Sequence, residues 1–134
     1  MIALDTSVVV AAFASWHEAH GQAAALLARR PRLPSHVLVE TYSVLTRLPP
    51  PHRAPAPIVQ GFLEASFPGP PLGLPPSAHR SLIRLAVQEG LTGGAVYDAL
   101  VAATARRARA TLITRDRRAV VAYEAVGVDY ELME

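Results

Sequence analysis

Residues 1–10, MIALDTSVVV, join a short apolar run to Asp5 and then to a second apolar run that begins at Val8. Residues 111–116, TLITRD, repeat this arrangement, with a β-branched stretch followed closely by Asp116. Each stretch is typical of a short buried strand, and helical character follows it. A strand that ends near an acid and leads into a helix is therefore the unit from which the fold is predicted.

Strands and helices alternate along the rest of the 134 residues. Short extended pieces are expected near Leu33 and over 72–74, and a last strand over 128–132, where apolar and polar residues alternate. A capping box that begins at Ser15 predicts a helix to about residue 29. Further helices are predicted over 36–48, 58–67, 78–89, 95–108 and 117–126.

Small residues mark several boundaries of these helices. Ser35 and Ser77 are expected to act as N-caps, and Gly90 and Gly127 are expected to end helices. The order of elements predicts an α/β protein with a parallel sheet and helices on both faces. At this length the chain is expected to form one domain, residues 1–134.

The composition excludes several kinds of site. Hydrophobic residues make up 51% of the chain, which suits a buried core. There is no cysteine, so disulfides, thiolate zinc sites and a cysteine nucleophile are excluded. All 13 basic residues are arginine, and the absence of lysine excludes a Walker-type phosphate loop and Schiff-base chemistry. Asp5 interrupts the first apolar run, so neither a signal peptide nor a membrane span is predicted and a cytoplasmic protein is expected.

Four acids are expected to meet at one edge of the sheet. Asp5 and Asp116 follow strands, Asp98 lies in the first turn of the helix before the second of these strands, and Glu40 lies early in the helix over 36–48. Strand ends and helix starts share one edge of a parallel sheet, and ligands of such sheets bind beyond the strands' carboxyl ends. The four carboxylates should therefore converge there.

A cluster of this kind needs a counter-charge. Asp5, Glu40 and Asp98 stand inside apolar runs, where an unpaired charge costs several kcal/mol. Neighbouring carboxylates also repel by roughly 4 kcal/mol per pair at about 4 Å. A divalent cation offsets both costs, and oxygen-only ligands favour Mg²⁺ or Mn²⁺. Each acid taken alone also has a simpler explanation. Asp98 could complement a helix dipole. Glu40 could face solvent, and Asp116 could pair with a neighbouring arginine.

The ordered set of motifs resembles a PIN domain, and within that family the toxin ribonucleases of VapBC-type toxin–antitoxin pairs. The resemblance rests on Ile2–Val8, on the helix-borne Glu40, on Tyr97–Ala103 and on Leu112–Asp116. It spans essentially the whole chain. It implies a Rossmann-like parallel sheet of about five short strands flanked by helices, and a Mg²⁺- or Mn²⁺-dependent endoribonuclease.

The resemblance also implies roles for individual residues. Asp5 and Asp98 would bind the metal directly, Asp116 directly or through water, and Glu40 through water or by orienting the attacking water. Thr114 would complete the catalytic set by hydrogen bonding a ligand or the scissile phosphate. Water would attack the phosphodiester and leave a 5′-phosphate and a 3′-hydroxyl. Where some relatives carry a further acid, this chain has arginine and alanine over 117–119, which argues against a well-occupied second metal ion.

Basic and hydroxyl residues beside the acids are the candidates for substrate binding. The formal charge is +2, and six arginines lie within residues 106–118. The resemblance implies RNA (tRNA, rRNA or mRNA) as the substrate, and arginine is able to hold its phosphates through paired hydrogen bonds. A solvated basic face and an antitoxin-binding surface are the alternatives. The substrate-binding candidates are Thr6, Ser7, Arg115, Arg117 and Arg118.

Other partners and other functions follow from the resemblance or compete with it. The resemblance implies a cognate antitoxin and a homodimer. No membrane partner is expected. The main alternative is an inactive PIN-fold binding or scaffold subunit, which predicts loss of an acid. A phosphotransferase on a similar sheet would require a lysine near its nucleophilic aspartate, and this chain has no lysine. His17 and His20 have the spacing of metal ligands on one helix, but no third His or Cys is near, and packing or surface roles are favoured.

Overall fold

The structure is a computed structural model that describes residues 1–134. Its three strands are β1 (Ile2–Leu4), β2 (Thr111–Thr114) and β3 (Tyr130–Leu132). Its helices are α1 (Thr6–Phe13), α2 (His20–Ala25), α3 (Ser35–Arg47), α4 (Ala56–Ser66), α5 (His79–Glu89), α6 (Gly94–Arg107) and α7 (Val120–Val126). Short 3₁₀ turns cover Leu26–Arg29, Pro76–Ala78 and Arg117–Ala119.

The three strands form one parallel sheet in the order β1-β2-β3. Leu4 lies opposite Ile113, and Thr114 lies opposite Leu132, so the carboxyl ends of the strands share one edge. The helices cover the sheet, as parallel strands require, because both faces of such a sheet are buried. The predicted α/β class with a parallel sheet flanked by helices is confirmed.

The prediction of about five strands is wrong as a count. The extended pieces near Leu33 and Leu72 do lie parallel to the sheet, but each makes a single bridge, Ala3 with Arg32 and Pro34 with Leu72. The Leu72 N–H donates to the Leu33 carbonyl at 2.8 Å. The ladder stops there because the prolines at 31, 34, 70 and 71 have no N–H to donate.

The glycines predict the observed helix boundaries better than the serines do. Gly90 and Gly127 end α5 and α7 with left-handed φ values of 67° and 83°, as predicted. The helix predicted from Ser15 begins only at His20, and the serines that open α3 and precede α5 make no capping hydrogen bond. The side chain that does cap a helix here is that of Asp5, which accepts from the Val8 N–H at the start of α1.

The core lies between the sheet and its helices. Leu4 and Leu112 are fully buried at its centre, against Val8 and Val9 of α1. The face of α6 that meets them is built largely of alanine, at 99, 102 and 105, so this helix approaches the sheet closely. Asp98, just beyond the first turn of this helix, is thereby brought near the edge where β1 and β2 end. No helix of this chain is long and apolar enough to span a membrane.

Candidate acidic site

Asp5 is the buried member of the candidate site. It follows β1 directly, and only 5% of its surface is exposed. Its Oδ1 accepts from the Ser7 hydroxyl at 2.5 Å and from the Val8 N–H at 3.3 Å, and its Oδ2 accepts from the Tyr123 hydroxyl at 2.8 Å. Burial nevertheless raises the pKa of Asp5 above its usual value, because these hydrogen bonds only partly replace water.

Asp98 shows that the acids share one region. It lies just beyond the first turn of α6, not within the first turn as predicted, and its pKa is raised from 3.8 to about 6. Burial is the largest cause, and the negative charges of Asp116, Asp5 and Glu40 follow in that order. Three like charges act on one carboxyl only where the four groups lie near each other. The predicted convergence of the four acids at this edge therefore has electrostatic support.

Asp116 follows β2 and is more open than Asp5. Its side chain is 36% exposed and accepts from the Arg118 N–H at 3.0 Å, which caps the 3₁₀ turn that follows. The Arg118 guanidinium lies 3.7 Å from the same oxygen. Thr114 is fully buried, and its hydroxyl accepts from the Asp116 N–H at 2.9 Å. Thr114 thus holds the backbone of the turn that carries Asp116.

Glu40 reaches the site from α3. Its carboxylate accepts a short hydrogen bond from the Thr6 hydroxyl, which belongs to the first turn of α1. The other oxygen lies 3.7 Å from His36 Nε2, one helical turn earlier. The His36 ring stacks on Tyr97, with centroids 5.2 Å apart and an interplanar angle of 10°. This stack joins α3 to the start of α6 beside Asp98, a link for which the sequence carries no recognisable motif.

The hydroxyls and arginines named as substrate contacts have protein partners in this structure. Ser7 accepts from the Arg115 N–H at 2.9 Å while it donates to Asp5, so it links the two strand ends. The Arg115 guanidinium turns toward His17, at 3.4 Å, and Glu18, at 3.5 Å. Arg117 pairs with Glu134. Arg118, 96% exposed, is the arginine most open to a ligand, and the substrate roles of all these residues stay predictions.

His17 and His20 are engaged in local contacts. His17 Nδ1 accepts from the Ala19 N–H at 3.0 Å, and His20 Nδ1 lies 3.0 Å from the Ala11 carbonyl. These contacts agree with the packing roles favoured for the pair.

Tyr123 is the residue at this site that the sequence patterns miss. It lies on α7, is buried, and donates to Asp5 across 118 residues of sequence. Burial and the negative charge of Asp5 raise its pKa, so its phenol remains a hydrogen-bond donor. Its position three residues after Val120 in an apolar helix predicts a core residue only. The available signal in the sequence is a tyrosine on the apolar face of a helix, because a buried hydroxyl needs a polar partner.

The donor set suits a hard divalent cation. All four acids offer carboxylate oxygens, and their mutual repulsion, expressed in the raised pKa of Asp98, is what a cation relieves. No three acidic or histidine side chains stand close enough to hold an ion together, since Asp5, Glu40 and Asp116 each face protein donors. Cation binding would therefore have to draw the other carboxylates toward Asp5, which its buried donors hold in place.

The fold and this edge define an α/β protein with an acidic cluster beyond the carboxyl ends of a parallel sheet. The PIN domain family matches residues 2–125, and the chain belongs to that family. Ribonuclease VapC40 of Mycobacterium tuberculosis, in strains CDC 1551 and H37Rv, is 50% identical over 133 residues, covering 99% of both chains. Ribonuclease VapC27 of strain H37Rv is 45% identical over 128 residues, covering 95% of this chain and 93% of that protein.

Proposed function

We propose that this protein is a Mg²⁺- or Mn²⁺-dependent endoribonuclease, the toxin of a type II toxin–antitoxin system, that hydrolyses RNA phosphodiesters. The observation that carries the proposal is the environment of Asp98, whose pKa is raised first by burial and then by the charges of Asp116, Asp5 and Glu40. The chain belongs to the PIN family and is 50% identical to Ribonuclease VapC40. Repulsive carboxylates at one edge of the sheet are costly for folding and useful for binding a cation. We also propose that residues 1–134 are one domain and that the protein acts in the cytoplasm.

The proposed mechanism divides the work among the acids. Asp5, Asp98 and Asp116 would hold the divalent cation, and Glu40 would hold it through water or orient the attacking water. The chemistry that such a cation supplies is activation of water and neutralisation of charge on the phosphoryl oxygens. Thr114 keeps Asp116 in place through the 2.9 Å hydrogen bond to its backbone.

The substrate side of the proposal rests on the arginines near the acids. Arg118 is almost fully exposed beside Asp116, where its guanidinium is able to reach a phosphate oxygen. The Ser7 hydroxyl donates to Asp5, and the Thr6 hydroxyl donates to Glu40. We assign Thr6, Ser7, Arg115 and Arg117 to the rim of the substrate site. Tests of each will show whether RNA displaces their present partners.

The first experiment is RNA cleavage by the purified protein with Mg²⁺ or Mn²⁺. Asp98→Asn and added EDTA should each abolish cleavage. Asp129→Asn is the matched control, because it makes the same change at an exposed acid before β3 and should leave cleavage unchanged. Cleavage that survives in Asp98→Asn would contradict the carboxylate mechanism. Absence of both cleavage and metal binding in the unaltered protein would favour the inactive binding or scaffold subunit.

A cognate antitoxin is the proposed protein partner, and a homodimer is the proposed assembly. An apolar groove of about 540 Å³ runs between α3 and α4, and Val39 and Tyr42 expose large side chains along it. Exposed apolar surface of this kind suits a partner segment with apolar anchors. Val39→Asp should prevent co-purification with the antitoxin, whereas the distant exposed Val87→Asp on α5 should not. Equal co-purification of both variants would contradict the assignment of this groove.

A further inference from the structure

One buried polar group has no part in the mechanism above. Tyr123 on α7 is 1% exposed, and its ring fills space in the core. A phenylalanine would fill the same space, so packing alone does not account for the hydroxyl. That hydroxyl donates at 2.8 Å to Asp5 Oδ2, which belongs to the opposite end of the sequence. The partner of the hydroxyl therefore indicates its role.

The hydrogen bonds to Asp5 divide between its two oxygens. Oδ1 accepts from Ser7 and from the Val8 N–H, both of which lie within three residues of Asp5 in the first turn of α1. Oδ2 accepts from Tyr123, the donor supplied by α7. Two anchored oxygens fix the plane of a carboxylate. Each oxygen has two lone pairs, so both lone pairs of Oδ1 are in use, whereas Oδ2 keeps one for a further ligand.

We propose that Tyr123 is a positioning residue, which orients the Asp5 carboxylate from inside the protein so that the free lone pair of Oδ2 is available to a divalent cation. This inference rests on the proposed metal-dependent function and names a residue that acts through Asp5. Partners that hold a metal-binding carboxylate typically change metal affinity or activity by roughly 10- to 100-fold when removed. Tyr123 is placed to act in this way because its position on α7 is set by the core.

The test compares two tyrosines that differ in their partners. Tyr123→Phe removes the hydroxyl that holds Asp5. Tyr130→Phe removes a hydroxyl that donates at 2.6 Å to the exposed Glu124, from a ring 6.2 Å from that of Tyr123. Mn²⁺ affinity, measured by calorimetry without RNA, should weaken about tenfold in Tyr123→Phe and stay unchanged in Tyr130→Phe. In RNA cleavage, kcat should fall in Tyr123→Phe while KM for RNA stays the same.

Several outcomes would overturn the inference. Unchanged Mn²⁺ affinity in Tyr123→Phe, with an unaltered protein that binds Mn²⁺ and cleaves RNA, leaves the proposed function standing and assigns Tyr123 to packing. An unaltered protein that binds no Mn²⁺ overturns both. If Tyr123→Phe fails to fold, Asp5→Asn is added to it. Recovery of folding supports a role exerted through the charge of Asp5, and continued failure to fold overturns it.

Discussion

The ends of β1 and β2 lie side by side at one edge of the sheet, and each carries an aspartate, yet their surroundings differ. Asp5, after β1, is buried and accepts three hydrogen bonds, one of them from the distant Tyr123. Asp116, after β2, is 36% exposed, and the donors to its side chain come from Arg118 of its own turn. One acid is held by the core, and the other is held by a surface loop.

This difference suggests a division of tasks between the two strand ends. A carboxylate fixed by buried donors provides a pre-organised ligand, which needs little rearrangement when a cation binds. A carboxylate on an exposed turn lies where substrate and solvent arrive. The pKa of Asp98 is raised first by burial and then by the charges of Asp116 and Asp5, so Asp98 is affected by both strand ends. The predictions below test whether the buried end and the exposed end contribute unequally.

The largest effect is expected when each acid is neutralised in turn. Asp5→Asn should lower kcat/KM for RNA cleavage by more than about 100-fold, because it removes a proposed direct ligand rather than a partner of one. Asp116→Asn should cost less, about 10-fold to 100-fold, since its ligation is proposed as direct or through water. Steady-state cleavage assays measure both. Equal losses would show that burial makes no difference between the two strand ends.

Cation binding should stabilise the folded protein through the same carboxylates. At a Mn²⁺ concentration of 100 times Kd, the free energy of unfolding should rise by about 2.7 kcal/mol. Urea denaturation with Mn²⁺ and with EDTA measures the difference. The gain should largely disappear in Asp5→Asn and persist in Asp129→Asn. A gain of the same size in all three proteins would mean that the cation binds elsewhere.

Asp98 should make the metal-free protein less stable as the pH rises. Its folded pKa, about 6, lies above its ordinary value of 3.8, so the folded state binds the proton more tightly. Stability should therefore fall as pH rises from about 4 to about 6 and then level off. The full shift corresponds to roughly 3 kcal/mol, and solvent screening of this half-buried group reduces it to about 1 kcal/mol.

The measurement for Asp98 is denaturation in EDTA across this pH range, with Asp98→Asn as the comparison. The variant should be the more stable protein above about pH 6, by about 1 kcal/mol. The two proteins should converge below about pH 3, where the carboxyl is protonated in both the folded and the unfolded state. Curves that stay parallel throughout would show that neither burial nor the other three acids raise the pKa of Asp98.

The smallest effect is expected at the exposed arginine of the open strand end. Arg118→Ala should weaken RNA binding by about threefold and lower the salt dependence of binding by about one phosphate contact. Arg80→Ala, an equally simple change on the exposed surface of α5, is the control. Filter binding at several salt concentrations measures both. An equal loss in the two variants would indicate a diffuse basic surface.

Much of the fold follows from local patterns in the sequence. The apolar runs before Asp5 and Asp116 predict β1 and β2, and glycines predict the ends of α5 and α7. The count of strands does not follow from the same patterns. The pieces near Leu33 and Leu72 have the composition of strands, but neighbouring prolines limit each to one bridge. Strand pairing needs an N–H on both sides of the ladder, which periodicity does not report.

The start of α2 illustrates a similar limit. Ser15 and Glu18 have the spacing of a capping box, yet the turn over 14–19 instead holds His17 and Glu18 beside Arg115. In this turn the His17 N–H donates to the Ala14 carbonyl and the Ala19 N–H donates to His17 Nδ1, so these contacts take the place of a capping box. The place of Asp5 after an apolar strand predicts a site residue, but its role as the N-cap of α1 appears only in the folded chain.

The α/β class follows from the order of strands and helices along the chain, and the same order predicts that four acids share one edge of the sheet. How each acid is held depends on the folded chain. Tyr123 reaches Asp5, and His36 stacks on Tyr97 beside Asp98, through contacts between elements far apart in sequence. Hydrogen bonds and burial depend on distances in space, which spacing along the chain does not specify.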